Sequence, residues 1–88
     1  MEEFLKQLGI NKTGVKSNGN VYTVDIEGSD EYGRVYSKLD KSDLVEEIPD
    51  SSQITYETAS IQFESDEYLI TLLADFDADE YKMTIKEL

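Results

Sequence analysis

The feature that most constrains the fold is the alternation of apolar and polar residues in the last third of the chain. Ile61 and Phe63 precede a turn signal at residues 65–66, and Ile70 and Leu72 follow it with the same spacing of two. Because successive side chains of a strand point to opposite faces, this period predicts two strands with one apolar face. The implied register pairs Phe63 with Tyr68, Ile61 with Ile70 and Ala59 with Leu72.

A second turn signal, at residues 78–79, extends the same apolar face. It predicts the pairs Phe76 with Tyr81, Ala74 with Met83 and Leu72 with Ile85. In that register Asp75 stands opposite Lys82, which is a favourable cross-strand pair. The strand between the two turns also carries Leu69 and Leu73 on its reverse side, so we expect it to be central and covered on both faces.

A β-hairpin is predicted near the N-terminus. Asn18 followed by Gly19 is the strongest two-residue turn signal in the chain and indicates a type I′ turn. The register pairs Val15 with Tyr22 and Thr13 with Val24. The second strand then places its apolar residues on one face.

A short amphipathic helix is predicted at residues 1–8. Gly9 follows in the position of a left-handed stop, and Ile10 is expected to contact Leu5 across that stop. A helix of two turns is not stable alone, so it must pack against the rest of the domain.

The middle of the chain has weaker patterns. Residues 28–31 are expected to close the hairpin strand, and residues 32–39 to form another strand. Residues 42–48 fit either a single helical turn or a short edge strand. In residues 53–58 the apolar residues have even numbers, whereas the apolar residues of the following segment have odd numbers. This change of parity predicts a bulge or bend, as where a strand passes between two sheets.

Together these patterns predict one domain, residues 1–88, that is mainly β within the α+β class. We expect a short N-terminal helix, a β-hairpin and a C-terminal antiparallel meander, which form a small sandwich or a partly open barrel.

The charge of the chain is strongly negative and unevenly distributed. Twenty Asp and Glu residues against eight Lys and Arg residues give a net charge of -12. No basic residue lies between Lys41 and Lys82. The carboxylates in that interval are Asp43, Glu46, Glu47, Asp50, Glu57, Glu64, Asp66, Glu67, Asp75, Asp77, Asp79 and Glu80. Such a field repels nucleic acid and anionic membranes and attracts basic protein surfaces.

The alternating Asp75, Asp77 and Asp79 look like the start of a calcium-binding loop. A calcium loop requires Gly at its sixth position, however, and this chain has Glu80 there. It also requires a bidentate carboxylate at its twelfth position, where this chain has Lys86. The flanking segments also predict strands rather than helices. We therefore interpret this segment as an acidic β-turn and expect no metal site.

Catalysis is not expected. The chain has no His and no Cys, and its glycines are isolated rather than grouped in a phosphate-binding loop. Its carboxylates lie in polar, turn-rich segments, where burial would not raise a pKa for acid–base chemistry. We expect no cofactor. An acidic N-terminus and the absence of a long apolar run predict a cytoplasmic protein.

The tyrosines divide into two groups. Tyr22, Tyr68 and Tyr81 fall on predicted core faces, whereas Tyr32 and Tyr36 share the outer face of the strand expected at residues 32–39. That face is also predicted to carry Arg34. Exposed Tyr and Arg are enriched at binding hot spots, so Tyr32, Arg34 and Tyr36 form a candidate partner-binding face.

These observations predict a non-catalytic, acidic protein–protein interaction domain whose partner has a basic surface. The candidate partner-binding carboxylates are Glu64, Asp66, Glu67, Asp75, Asp77, Asp79 and Glu80. One form of this hypothesis is an inhibitor of the kind that phages and mobile elements encode, in which carboxylates replace phosphates in a basic nucleic-acid-binding groove. The alternative is a small structural or assembly subunit of a phage or bacterial complex, with an acidic surface that only confers solubility.

Overall fold

The computed structural model describes residues 1–12 and 14–88. In these residues, helices and strands follow one another along the whole chain. They are α1 (Glu2–Gln7), β1 (Lys16–Asn18), β2 (Val21–Ile26), α2 (Gly28–Lys41), β3 (Glu46–Glu47), β4 (Gln53–Ile54), β5 (Thr58–Glu64), β6 (Tyr68–Asp75) and β7 (Glu80–Glu87).

The strands form a single antiparallel sheet. Its order is β1-β2-β7-β6-β5-β3, and β4 pairs with β5 beside β3. The sheet does not close, because β1 lies at one edge and β3 and β4 lie at the other. The predicted class, mainly β with an N-terminal helix, a hairpin and an antiparallel meander, is confirmed.

The core lies on one face of this sheet, beneath both helices. Leu5 of α1 and Val35 and Leu39 of α2 belong to the same buried cluster as the inward-facing residues of four strands. Those strand residues are Val24, Ile26, Ile61, Phe63, Ile70, Leu72, Ala74, Tyr81, Met83 and Ile85. The apolar face that the alternation predicts is therefore the inner face of the sheet.

Helix α1 ends as the sequence predicts. Gly9 has a φ of 82°, and its amide donates to the carbonyl of Lys6. The amide of Ile10 donates to the carbonyl of Leu5, which completes a Schellman motif. Leu5 and Ile10 are both buried, so the predicted apolar contact accompanies the stop.

The prediction of a strand at residues 32–39 is wrong, because these residues lie in α2 (Gly28–Lys41). Val35 and Leu39 are four residues apart and are both buried, which is the period of a helix rather than of a strand. Acidic residues occupy the first turn and basic residues the last, an arrangement that complements the helix dipole. Gly28, at a φ of 89°, turns the chain from β2 into this helix.

The first hairpin turns one residue later than predicted. Asn18 pairs with Val21, so the turn residues are Gly19 and Asn20 rather than Asn18 and Gly19. Gly19 has a φ of 64°, whereas Asn20 is not among the residues with positive φ, and this is the pattern of a type II′ turn. Tyr22 therefore pairs with Ser17 and not with Val15. The expected pair of Thr13 with Val24 lies outside the described residues.

The two turns of the meander keep the predicted faces but shift the register by two residues. Phe63 pairs with Ile70 rather than with Tyr68, and Leu72 pairs with Ile61 and with Met83. Because the shift is even, every apolar strand residue stays on its predicted face. The predicted pair of Asp75 with Lys82 is wrong, since Asp75 stands opposite Glu80.

The outer face of the sheet is open. Leu69 and Leu73 are half-buried there, and no described helix packs over them, so the expected cover on both faces of β6 is absent. A polar row crosses this face, and it comprises Thr23, Thr84, Thr71 and Gln62. Gln62 donates to the hydroxyl of Thr71 at 3.3 Å. The two-layer arrangement therefore leaves one whole face of the sheet accessible.

The segments around β5 decide one alternative that the sequence leaves open and correct one prediction. Residues 42–48 contain the short strand β3, so the edge-strand alternative is the one that forms. The parity change at residues 53–58 marks a hairpin between β4 and β5, with Ile54 opposite Ala59, rather than a strand that crosses between two sheets.

Candidate functional site

The structure divides the predicted acidic surface into two groups. Glu64, Asp66 and Glu67 lie at the turn between β5 and β6, whereas Asp75 and the carboxylates that follow it lie at the turn between β6 and β7. These turns are at opposite ends of β6, which spans about 23 Å at roughly 3.3 Å per residue. The two groups therefore cannot contact one small partner surface together.

The carboxylates of the β6–β7 turn lie next to residues of the β4–β5 turn, which the sequence does not associate with them. The amide of Phe76 donates to the carbonyl of Glu57 at 2.7 Å, and this bond joins the β6–β7 turn to the β4–β5 turn. We call the combined surface the acidic tip. It comprises the carboxylates Glu57, Asp75, Asp77, Asp79 and Glu80 and the apolar residues Ile54, Tyr56 and Phe76.

Side-chain oxygens at the start of each turn shape the tip. Thr55 Oγ1 accepts hydrogen bonds from the amides of Glu57 and Thr58, at 3.3 and 2.9 Å. Asp75 Oδ1 accepts one from the amide of Ala78 at 3.1 Å, and Asp79 has a φ of 51°. Local bonds of this kind favour tight turns, and Asp tolerates the left-handed region better than most residues.

Exposed apolar side chains distinguish the tip from an ordinary acidic turn. Tyr56 is 99% exposed, Ile54 77% and Phe76 49%. Single exposed apolar residues are common on protein surfaces, but here three lie on or beside two adjacent turns among carboxylates. The predicted pairing of Phe76 with Tyr81 on the core face is wrong, because Phe76 lies in the four-residue turn after β6.

Aromatic rings connect the tip with the core. The ring centroid of Phe76 lies 6.3 Å from that of Tyr81. The ring centroid of Tyr81 lies 5.6 Å from that of Tyr32 in α2. Burial raises the pKa of the Tyr81 phenol, and the neighbouring Asp79 carboxylate adds to this increase. The base of the tip is thus supported by packed rings, which limits the entropy lost when a partner binds.

A shallow concavity on the open face borders the tip. Its volume is about 830 Å³, and its lining includes the carboxylates Asp25, Asp75, Asp79 and Glu80 and the single base Lys82. Leu73 contributes apolar surface to its floor. A concavity lined in this way suits the aliphatic stem and charged end of a Lys or Arg side chain from a partner protein.

The other acidic group has a different environment. Glu64 stands directly opposite Glu46 of β3, a like-charge pair that opposes strand pairing. Ser65 Oγ accepts hydrogen bonds from the amides of Glu67 and Tyr68. Tyr68 packs against Phe4 with the ring centroids 4.4 Å apart, so its ring serves the core rather than a partner surface.

The candidate partner-binding residues Tyr32, Arg34 and Tyr36 lie on helix α2 rather than on a strand. On α2 the ring of Tyr32 packs on Tyr81, whereas Tyr36 is 36% exposed and its ring centroid lies 6.1 Å from that of Phe63. Arg34 lies on another side of the helix, because residues two apart on a helix do not share a face. Contact of any one of them with a partner stays a prediction.

Sequence reasoning missed Ile54, Tyr56 and Phe76 as surface residues. Their apolar character suggests strand faces that pack on a core. The available signal was Thr55, since a Thr can begin a tight turn when its hydroxyl accepts hydrogen bonds from the backbone amides that follow.

Within residues 1–12 and 14–88, no group of three His, Cys, Asp or Glu side chains is arranged to hold a metal ion. No described helix has the length and apolar character required to cross a membrane. Comparison with known proteins finds no matching family model, curated protein or solved structure. A functional interpretation therefore depends on the chemistry of the acidic tip.

Proposed function

We propose that this protein is a non-catalytic interaction domain that binds the basic surface of a protein partner through its acidic tip. The observation that carries the proposal is the full exposure of Tyr56 beside the half-exposed Phe76, on two hydrogen-bonded turns that also carry carboxylates. Protein-binding hot spots commonly combine an aromatic anchor with charged groups around it.

The two parts of the tip have different roles in this proposal. The aromatic rings fill an apolar depression on the partner and supply most of the affinity, since burial of apolar area is the larger favourable term. The carboxylates select a basic partner and accelerate association by electrostatic steering. The concavity beside Asp75 and Glu80 then accepts a Lys or Arg side chain of that partner.

An inhibitor of a nucleic-acid-binding protein is one specific form of this function. The basic side chains that hold phosphates in such a partner would hold the carboxylates of the tip instead. The separation of the two acidic groups favours a compact contact at one end of the sheet over a long row of phosphate substitutes. The alternative function, a small assembly subunit, requires a stable assembly that does not depend on the acidic tip, because its acidic surface would only confer solubility.

Two charge-matched variants test the proposal. One neutralises the tip by Asp77→Asn, Asp79→Asn and Glu80→Gln, and the other neutralises the opposite turn by Glu64→Gln, Asp66→Asn and Glu67→Gln. Both raise the net charge by the same amount, so they differ only in position. Asp75 is retained because its carboxylate holds the turn together. Capture of partners from a host lysate at increasing salt concentration is the measurement.

We expect the tip variant to lose the captured partner, with binding weakened about tenfold or more, and the opposite variant to retain it. Binding by the wild type should also decline as salt screens the contact. Equal loss in both variants would show that only net charge matters, and this result would contradict a function located at the tip.

A further inference from the structure

A groove on the helical side of the molecule concentrates basic residues in a chain that is otherwise acidic. Its volume is about 840 Å³, and it lies between the ends of α1 and α2. The basic residues that line it are Lys6, Arg34, Lys38 and Lys41. We call it the basic groove. Asp43 is its single carboxylate, and Leu44 supplies apolar surface.

The four cations of the basic groove form no ion pair in the described part of the chain, although Arg34 lies near enough to Glu31 to help lower the pKa of that carboxyl. The ion pairs there join Lys12 with Glu31 and Lys16 with Asp25. With twenty acidic residues and eight basic ones in the sequence, most cations could have a carboxylate close by. Because Asp43 is the one carboxylate that lines the groove beside four cations, the groove has a net positive charge and attracts an external anion.

The helix dipole explains only part of this arrangement. Lys6 lies in the last turn of α1, and Lys38 lies in the last turn of α2, as expected for cations near exposed carbonyl groups. Arg34 lies in the middle of α2, one turn before Lys38, where two like charges oppose each other. The last turns of the two helices therefore hold Lys6, Lys38 and Lys41, and Arg34 extends the same positive surface towards the middle of α2.

We propose that the basic groove binds the acidic tip of a second copy of this chain. The proposal rests on the function proposed for the tip and names one surface that the tip recognises. The two surfaces are complementary in charge. They are also complementary in apolar character, because Tyr56 and Phe76 can cover Leu44, which is 46% exposed in the groove. Arg34 can further stack on an aromatic ring of the tip.

The contact must join two molecules. The tip adjoins the start of α2 through the packing of Tyr81 on Tyr32, whereas the basic groove adjoins the end of that helix. The axis of α2 rises about 14 Å from Tyr32 to Lys41 at roughly 1.5 Å per residue, and the sheet holds the tip at the Tyr32 end. A tip therefore cannot reach the groove of its own chain.

The net charge gives this association an unusual dependence on salt. Two molecules of charge -12 repel each other at long range, and this repulsion dominates at about 0.01 M salt, where the Debye length is roughly 30 Å. At about 0.15 M the Debye length is roughly 8 Å, so the direct contact outweighs the screened repulsion. At about 1 M the ionic part of the contact is screened as well, and only its apolar part remains. Association should therefore be strongest at intermediate salt.

Sedimentation of the full chain at these three salt concentrations, up to about 1 mM protein, is the first test. We expect the apparent mass to rise most steeply with concentration at intermediate salt and less at both extremes. A monomer under all three conditions would overturn the inference. It would leave the proposed function intact if the tip still captures a basic partner.

A charge-swap experiment identifies the surfaces. The groove variant carries Lys38→Glu and Lys41→Glu, and the tip variant carries Asp77→Lys and Glu80→Lys. Asp79 is retained because its positive φ disfavours a longer side chain. We expect each variant alone to associate about tenfold or more weakly than the wild type, and a mixture of the two to recover association. Failure of the mixture to recover would contradict a contact between tip and groove.

A matched control separates the groove from net charge. Lys16→Glu combined with Lys86→Glu changes the net charge as much as the groove variant does, at exposed residues of the open face. This control should associate as the wild type does, and loss of association in it would overturn the assignment to the groove. The groove variant should still capture the basic partner of the tip, which distinguishes failure of this inference from failure of the proposed function. If a charge reversal prevents folding, Arg34→Gln with Lys38→Gln provides the same test without new charges.

Discussion

Leu72 lies at the centre of the core, and its cross-strand neighbours define the register of the meander. Its side chain is completely buried, and its neighbours across the sheet are Ile61 and Met83. We expect Leu72→Ala to lower the free energy of unfolding by about 2–5 kcal/mol, since it removes buried methyl groups and leaves a cavity. Leu73→Ala, on the open face of the same strand, should have a clearly smaller effect. Urea denaturation of both variants is the measurement, and equal losses would contradict the assignment of the two faces.

Tyr81 links the tip to the core and should influence stability at alkaline pH. Burial raises the pKa of its phenol in the folded protein. Its contribution to stability is therefore complete below the pKa of the unfolded chain, near 10, and is lost as the pH rises through the higher folded value. Tyr81→Phe should reduce the loss of stability between about pH 9 and 11. The control is Tyr56→Phe, at a fully exposed ring, and an unchanged alkaline profile in Tyr81→Phe would contradict this role.

Helix α2 contains a glycine that the fold does not require. Gly33 lies within the helix and has no positive φ, and a methyl group added at its Cα would meet no crowding atom within 4 Å. Gly33→Ala should therefore raise the free energy of unfolding by about 0.5–1 kcal/mol. Gly28 has equally open surroundings but a φ of 89°, so Gly28→Ala should be destabilising. Thermal denaturation checks both, and a gain at Gly28 would contradict the backbone geometry at the start of α2.

The strands of the meander are predictable from sequence, whereas their exact pairing is not. Alternation determines which side chains share a face, and a register shift of two residues leaves those faces unchanged. The pairing depends on where each turn begins. Ser65 and Asp75 start their turns through side-chain hydrogen bonds to backbone amides, and this shifts both hairpins from the predicted positions.

Helix α2 and the acidic tip show where sequence reasoning ends. The tyrosines of α2 also fit alternation, so they favour a strand although Val35 and Leu39 have helical spacing. The carboxylates at the β6–β7 turn are identifiable from sequence alone. Their association with Tyr56 is not, because it depends on a hydrogen bond between two turns that are separated along the chain.

The whole molecule carries a net charge of -12, and mutual repulsion of its carboxylates should lower its stability at low salt. We expect the melting temperature to rise as salt increases from about 0.01 M to 0.15 M, because the Debye length falls to roughly 8 Å. Glu64→Gln, Asp66→Asn and Glu67→Gln together should raise stability at low salt and reduce the gain from added salt. Calorimetry that shows no effect of salt on the wild type would contradict this interpretation.

The proposal that the acidic tip is the partner-binding surface is tested most directly by site-specific photo-crosslinking. A photoreactive phenylalanine analogue replaces Tyr56 in one sample and Leu88, which is 72% exposed, in the other. Irradiation of each with the captured partner should give a crosslinked product from position 56 and little or none from position 88. Crosslinking from position 88 but not from position 56, with the partner bound in both samples, would contradict the assignment of the binding surface to the tip.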